Sequence, residues 1–374
     1  MIGAWFGFAV GLFVVIGTLS SVVGTLVVPR GISSRISRTV DRALDAGFLQ
    51  LARRLRSFER RDRILAWQSP LALLTRLAVW LGLLVVGFAL LLLPSLNGHL
   101  GQAFSDAGSS MFTLGYAAPT GTGSTALEYV AAFTGLVTVG LQVGYLPTLY
   151  AAFNRRETEV SLLGSRAGVP AWGPEILART RYGIDNPDTG TVLEELFTAW
   201  ERWAADVAES HTTYLTLARL RSPRPMSHWL ISLIAVMDAA ALHLALAPAR
   251  EPKLSPRLCL RMGFVALRQI ARTMRLSVPD EPEPDGPISV PFEEFRAATA
   301  MLRKLGYPIE ETDEQAWPHF RGWRANYDTA ALMLARHLDA PPALWTGTRR
   351  WPSTPLPPGR PAIKLARDAQ QRRT

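Results

Sequence analysis

Asn97 to Ala126 reads NGHLGQAFSDAGSSMFTLGYAAPTGTGSTA, a stretch with no lysine or arginine and one acid, Asp106. It stands between two apolar runs, Leu71 to Leu93 and Leu127 to Phe153. Each run is long enough to cross a hydrocarbon core about 30 Å thick, which takes ~20 helical residues. His99 to Met111 is semi-apolar and too short to cross, so a re-entrant half-helix is the economical reading. Irregular backbone survives at membrane depth only where protein buries it or where it lines a water-filled cavity.

The residues after that half-helix, Thr113, Leu114, Gly115, Tyr116 and Ala117, would then present carbonyl oxygens able to replace an ion's hydration shell. The half-helix would direct its negative carboxyl end toward a cation. A permeant monovalent cation, potassium first, fits that chemistry, and no bound cofactor is called for. Asp106 and Glu128 are candidates for an acidic ring at the outer mouth, beside solvated or helix-bonding roles. Gly135, Gly140 and Gly144 in the following run are candidate gating hinges or close-packing positions.

Toward the amino terminus, positions 1 to 29 carry no charged side chain, and Ile2 to Val28 is a third run of spanning length. It lacks a basic start and ends in Val27, Val28, Pro29 and Arg30 rather than in a small-x-small cleavage site, so it reads as an anchor. Gly3, Gly7 and Gly11 recur every fourth residue and offer one face for close helix packing. Ten arginines and four acids follow between Arg30 and Arg63. Lys and Arg near spanning helices stay on the cytoplasmic side. Arg30 to Arg63 is therefore inside, Pro94 to Ala126 outside, and Arg155 onward inside, with the amino terminus outside.

Ile36, Val40, Leu44, Phe48, Leu51, Leu55 and Phe58 fall at helical steps between those arginines. The pattern predicts an amphipathic helix that either lies on the anionic lipids of the cytoplasmic leaflet or packs on the tail. The expected segments are 1–29, a transmembrane helix; 30–66, basic and amphipathic; 67–154, the helix, pore loop and helix; 155–340, a helical cytoplasmic domain; and 341–374, a Pro-rich basic tail. The fold class is an all-α membrane protein with three transmembrane helices, a re-entrant loop between the second and third, and an all-helical cytoplasmic domain.

At Thr113, Gly115, Tyr116 and Pro119 the sequence resembles the potassium-channel superfamily, whose filter reads Thr-Val-Gly-Tyr-Gly-Asp with a proline shortly after. Leu114 replaces the valine, while Ala117 and Ala118 replace the second glycine and the aspartate. That glycine takes a conformation that costs a residue with a Cβ about 1 to 2 kcal/mol. The resemblance implies a homotetramer, since four loops are needed to close the carbonyl rings. Further on, WERWAADVAESHTTYLTLARLRSP and HWLISLIAVMDAAAL are similar to the tail of bacterial ion-channel-like proteins of the two-pore-domain-type potassium channel family. The residues that carry this are Trp200, Trp203, Glu209, Ser210, His211, Leu217, Arg221, Ser222, Trp229 and Asp238. It implies a channel-associated domain in the plasma membrane and no chemistry.

Helical patterns in the tail cover Gly190 to Leu220, Ser227 to Leu246, Ser255 to Arg275, Phe292 to Leu305 and Glu314 to Leu338. Trp200, Trp203, Val207 and Ser210 or His211 share one face. Ser227 to Leu246 is apolar enough to be a fourth span. It holds Asp238 and His243 and is flanked by arginines at both ends, so it reads as a central core helix. Asp280 to Pro291 and Pro341 to Pro361 read as linkers.

The whole chain has 374 residues, 48% of them apolar, and a net charge of +9 from 40 Lys+Arg against 31 Asp+Glu. Its single cysteine, Cys259, excludes an intrachain disulfide and a cysteine zinc cluster. No His-Glu-x-x-His, Walker, nucleophile-elbow or dinucleotide spacing is present. Glu209, His211, Asp238 and His243 are weighed as acid/base or metal groups and read instead as satisfied core residues. The expectation is a tetrameric cation channel, not an enzyme, with no nucleic-acid partner. The alternative is a non-conducting membrane scaffold or sensor that keeps the channel architecture.

Overall fold

A computed structural model of the chain describes residues 2–28, 34–55, 57–117, 121–180, 189–224, 226–283 and 285–346. Those residues form thirteen helices and no strand. The chain divides into two compact units, Met1–Ala151 and Ala152–Thr374.

The first unit contains α1 (Ile2–Leu26), α2 (Arg35–Arg53), α3 (Phe58–Leu65), α4 (Gln68–Leu92), α5 (Leu100–Met111) and the first part of α6 (Thr122–Ala167). α1 and α4 run antiparallel and meet where neither has a side chain to hold them apart. A Cβ on Gly11 would stand 2.6 Å from the Gly87 carbonyl oxygen, and one on Gly87 would stand 2.7 Å from Val15 Cγ2. Gly7 lies against Leu93, whereas Gly3 faces open space, so the glycine face packs at two of its three positions. Val15, Leu84, Phe88, Leu92, Ala103 and Ala107 make the unit's core.

The basic amphipathic run forms two helices rather than one. α2 ends at Arg53, and Ser57 takes the extended backbone of an N-cap position, φ −87° and ψ 135°, before α3 starts at Phe58. α2 begins at the cap Ser34, whose side chain accepts from the Ser37 amide at 3.1 Å. α6 is 46 residues long with Pro147 inside it. Within the first unit its buried residues Ser124, Glu128, Ala131, Thr134, Thr138, Gln142, Tyr145 and Leu149 recur at helical spacing. The opposite face carries exposed Tyr129, Phe133, Leu136 and Val143.

The second unit contains the rest of α6, then α7 (Gly173–Arg179), α8 (Thr189–Thr213), α9 (Thr216–Arg219), α10 (Trp229–Leu246), α11 (Leu254–Thr273), α12 (Phe292–Lys304) and α13 (Asp313–His337). α10 is the axis, with α7, α8, α11 and α13 packed around it. Trp200, Phe197, Trp229, Phe295, Phe320 and Tyr327 fill the core. α7 approaches α10 at Gly173, where a Cβ would stand 2.6 Å from Asp238 Cβ. Thr312 and Gln315 close a capping box at the start of α13. The expected linker after Pro341 begins ordered: Ala343 and Trp345 are buried, and residues 347–361 lie outside the described residues.

Among the described residues, four helical stretches are long and apolar enough to cross a membrane: α1, Phe58–Leu92, α6 and α10. Protein covers 94% of the apolar window of α10, against 33%, 39% and 33% for the other three in chain order. A helix in contact with lipid keeps apolar side chains on its outside. α1, α4 and α6 have that surface, and α10 does not.

Candidate functional site

α5 is a twelve-residue helix over the stretch, His99 to Met111, where the sequence predicts a re-entrant half-helix. Its carboxyl end opens directly into Phe112 and Thr113. The backbone then alternates in hand: Thr113 has φ +55° and Gly115 has φ +71°, with Leu114 and Tyr116 on the ordinary side. A β-branched residue at positive φ is rare and strained, and persists only where its surroundings impose it. Ala117 is not among the residues at positive φ. The conformational cost expected for alanine in place of glycine is therefore not incurred in this backbone. Ala118 and Pro119, two of the resemblance positions, lie outside the described residues.

One side chain accounts for much of this geometry. Ser109, on the last turn of α5, accepts with its Oγ from the amides of Tyr116 at 3.1 Å and Ala117 at 3.2 Å. The Ser109 carbonyl accepts from the Leu114 amide at 2.8 Å, and the Ser110 carbonyl accepts from the Thr113 amide at 3.1 Å. The Tyr116 hydroxyl donates back to the Ser105 carbonyl at 3.2 Å. The amides of Thr113, Leu114, Tyr116 and Ala117 thus turn toward α5. Among the described residues, no hydrogen bond ends on the carbonyl oxygens of Thr113, Leu114, Gly115 or Tyr116. All four residues are exposed in the single chain, with Leu114 at 62% and Tyr116 at 63%.

Asp106 and Glu128 are both buried, at 4% and 7% exposure, and are not presented to solvent. Glu128 Oε2 accepts from the Ser110 hydroxyl at 3.5 Å. The three candidate hinge glycines of α6 differ. A Cβ on Gly135 would stand 2.3 Å from the Met111 carbonyl oxygen, so Gly135 lets α6 close onto the end of α5. Gly140 and Gly144 face open space. Pro147, inside α6, cannot donate to the carbonyl four residues back, so it is a position where the helix can bend.

The polar residues weighed in the tail fall into separate clusters. Arg156 donates to Glu157 Oε1 at 2.9 and 2.7 Å, to the Leu217 carbonyl at 2.6 Å and to the Leu220 carbonyl at 2.8 Å. Its Nη1 is 3.2 Å from His211 Nε2. A guanidinium only donates, so Nε2 accepts, and the His211 proton sits on Nδ1, 3.0 Å from Ser210 Oγ. Burial, and then the charge of Arg156, hold His211 well below the usual histidine range.

In the second cluster Arg324 donates to Asp238 at 2.5 Å, to Asp328 at 2.7 Å and to the Trp345 carbonyl at 2.8 Å. The Tyr327 hydroxyl donates to Asp238 at 2.6 Å. Burial works against the Arg324 charge, and the carboxylates of Asp238 and Asp328 outweigh it, so the guanidinium stays above its ordinary range. In the third cluster His243 bonds through Nδ1 to the Tyr307 hydroxyl at 2.7 Å and through Nε2 to the Pro252 carbonyl at 3.0 Å. Glu209 is exposed, and burial pushes the Cys259 thiol up, out of reach of thiolate chemistry. Among the described residues, no group of three or more His, Cys, Asp or Glu side chains is placed to hold a metal ion.

No protein-family model matches this chain, and neither a curated protein nor a solved structure matches it.

Proposed function

We propose that the chain is the subunit of a tetrameric cation channel, potassium-like, with Thr113 to Ala117 as its ion-coordinating segment. One observation carries the reading. The amides of Thr113, Leu114, Tyr116 and Ala117 are bonded back onto α5, while the carbonyls from Thr113 to Tyr116 have no donor among the described residues and lie on an exposed edge. Oxygen atoms in that condition are what a dehydrated monovalent cation requires. The carboxyl end of α5 beside them adds a favourable field. In this reading α1, α4 and the first part of α6 span a plasma membrane with the amino terminus outside. The second unit is then a cytoplasmic gating or assembly domain, and Gly140, Gly144 and Pro147 are the positions where α6 can bend.

The test is Ala117→Gly in the full-length protein reconstituted in liposomes, scored by the ratio of potassium to sodium flux. A change in that ratio or in conductance is expected, because the substitution alters the backbone freedom of the coordinating segment. An unchanged ratio and conductance, in protein shown to conduct, would overturn the assignment of the segment.

A further inference from the structure

The acids and the arginines of α2 go to different places. Asp41 pairs with Arg76 of α4 at 2.7 Å, and Asp45 accepts from Gln68 at 2.5 Å. On the same side, Ser34 and Ser37 meet Ser21 and Thr25 of α1 at 2.5 and 3.0 Å. The order of those contacts makes α2 run parallel to the end of α1 and antiparallel to the start of α4. Its first turns therefore stand level with the places where the apolar runs of α1 and α4 end. Arg35, Arg38 and Arg42, at steps of three and four, share the side left over. Arg35 and Arg42 are exposed and Arg38 is half-buried, and no carboxylate pairs with any of the three among the described residues.

Two arginines in the first turn of a helix, with no acid there, also oppose the helix dipole. An arrangement that costs local stability needs an anionic partner to offset it. Given that α1 and α4 span the membrane, we infer that Arg35, Arg38 and Arg42 bind the phosphate headgroups of anionic lipids in the leaflet they border. Guanidinium groups suit phosphate because their donors match its oxygens in pairs. α2 is then an upright post whose arginine stripe meets headgroups from the side, not a helix lying flat on the surface.

The experiment compares full-length protein with the Arg35→Gln/Arg38→Gln/Arg42→Gln variant in bilayers of phosphatidylcholine containing a little spin-labelled phosphatidylglycerol or spin-labelled phosphatidylcholine. The wild type should select phosphatidylglycerol over phosphatidylcholine, and each arginine removed should weaken that preference roughly fivefold, the equivalent of about 1 kcal/mol. The variant should keep its helical content and thermal midpoint in pure phosphatidylcholine. Equal preference in wild type and variant, or no preference in the wild type, would overturn the inference and leave the arginines as topology determinants. Alkaline carbonate extraction separates this from the underlying reading: release of the wild type from membranes would overturn the spans themselves. If the triple variant does not fold, Arg42→Gln alone, two turns into the helix, gives the same readout at one step.

Discussion

At the scale of single residues, Ser109 holds Tyr116 and Ala117 in place. Its hydroxyl oxygen is shared by the amides of Tyr116 and Ala117 in the proposed coordinating segment, and nothing else among the described residues replaces it. Ser109→Ala should release both amides, each worth about 1 to 3 kcal/mol where water cannot reach it. We expect reduced flux and a lowered potassium preference with the oligomer intact, and recovery with Ser109→Thr. Full activity of the alanine variant in the liposome assay would show that the hydroxyl does not hold the segment. The serine was not legible beforehand. A Ser-Ser pair in a semi-apolar half-helix has no spacing that announces a bond seven and eight residues ahead, whereas Thr113, Gly115 and Tyr116 are visible as types. Asp106 and Glu128 illustrate the opposite difficulty, because the sequence shows two acids but not that both are buried.

At the scale of elements, Gly135 and His211 give separate tests. Gly135 has backbone, not a flexible side chain, in the way of a Cβ. Gly135→Ala should destabilise the first unit by about 1 to 3 kcal/mol, as overpacking does. Gly144→Ala, in open space, should leave thermal stability unchanged; equal effects of the two would contradict the close approach of α6 to α5.

His211 is faced by Arg156, Ser210, the Val207 carbonyl and the Trp229 ring. Its folded value lies below its unfolded one, so the neutral ring favours the folded state. That stabilisation is complete above about pH 6.5 and is lost as pH falls below it. The thermal midpoint of the second unit should drop between about pH 7.5 and pH 5, and His211→Gln should flatten the dependence. An equal slope in the variant would assign the acid sensitivity to another group. The helices themselves were largely legible, because apolar periodicity and Pro or Gly punctuation mark α5, α10, α11, α12 and α13 within a few residues, whereas the pattern expected from Gly190 to Leu220 ends as α8 at Thr213 and resumes as the short α9. α7 was not, since seven residues give no periodicity. The break between α2 and α3 was hidden by an apolar pattern that runs through it.

At the scale of the whole molecule, an all-helical chain presents two kinds of apolar helix: α1, α4 and α6 keep apolar side chains outside, and α10 is enclosed. Charge patterning already separated them, because Asp238 and His243 inside α10 and arginines at both its ends make a crossing costly. The buried partners Arg324, Tyr327 and Tyr307 show how those polar groups are satisfied. No pattern in one chain reveals an assembly, and in the proposed channel Thr113 to Ala117 is one edge that three further copies would complete. The most direct measurement is therefore cation flux through purified, tetrameric full-length protein in liposomes, potassium against sodium, with a pore-blocked control. Potassium flux exceeding sodium flux and abolished by the block is the expected result. Absence of flux from a folded tetramer, across conditions that vary pH and lipid charge, would contradict the channel and leave a scaffold that keeps the architecture without conducting.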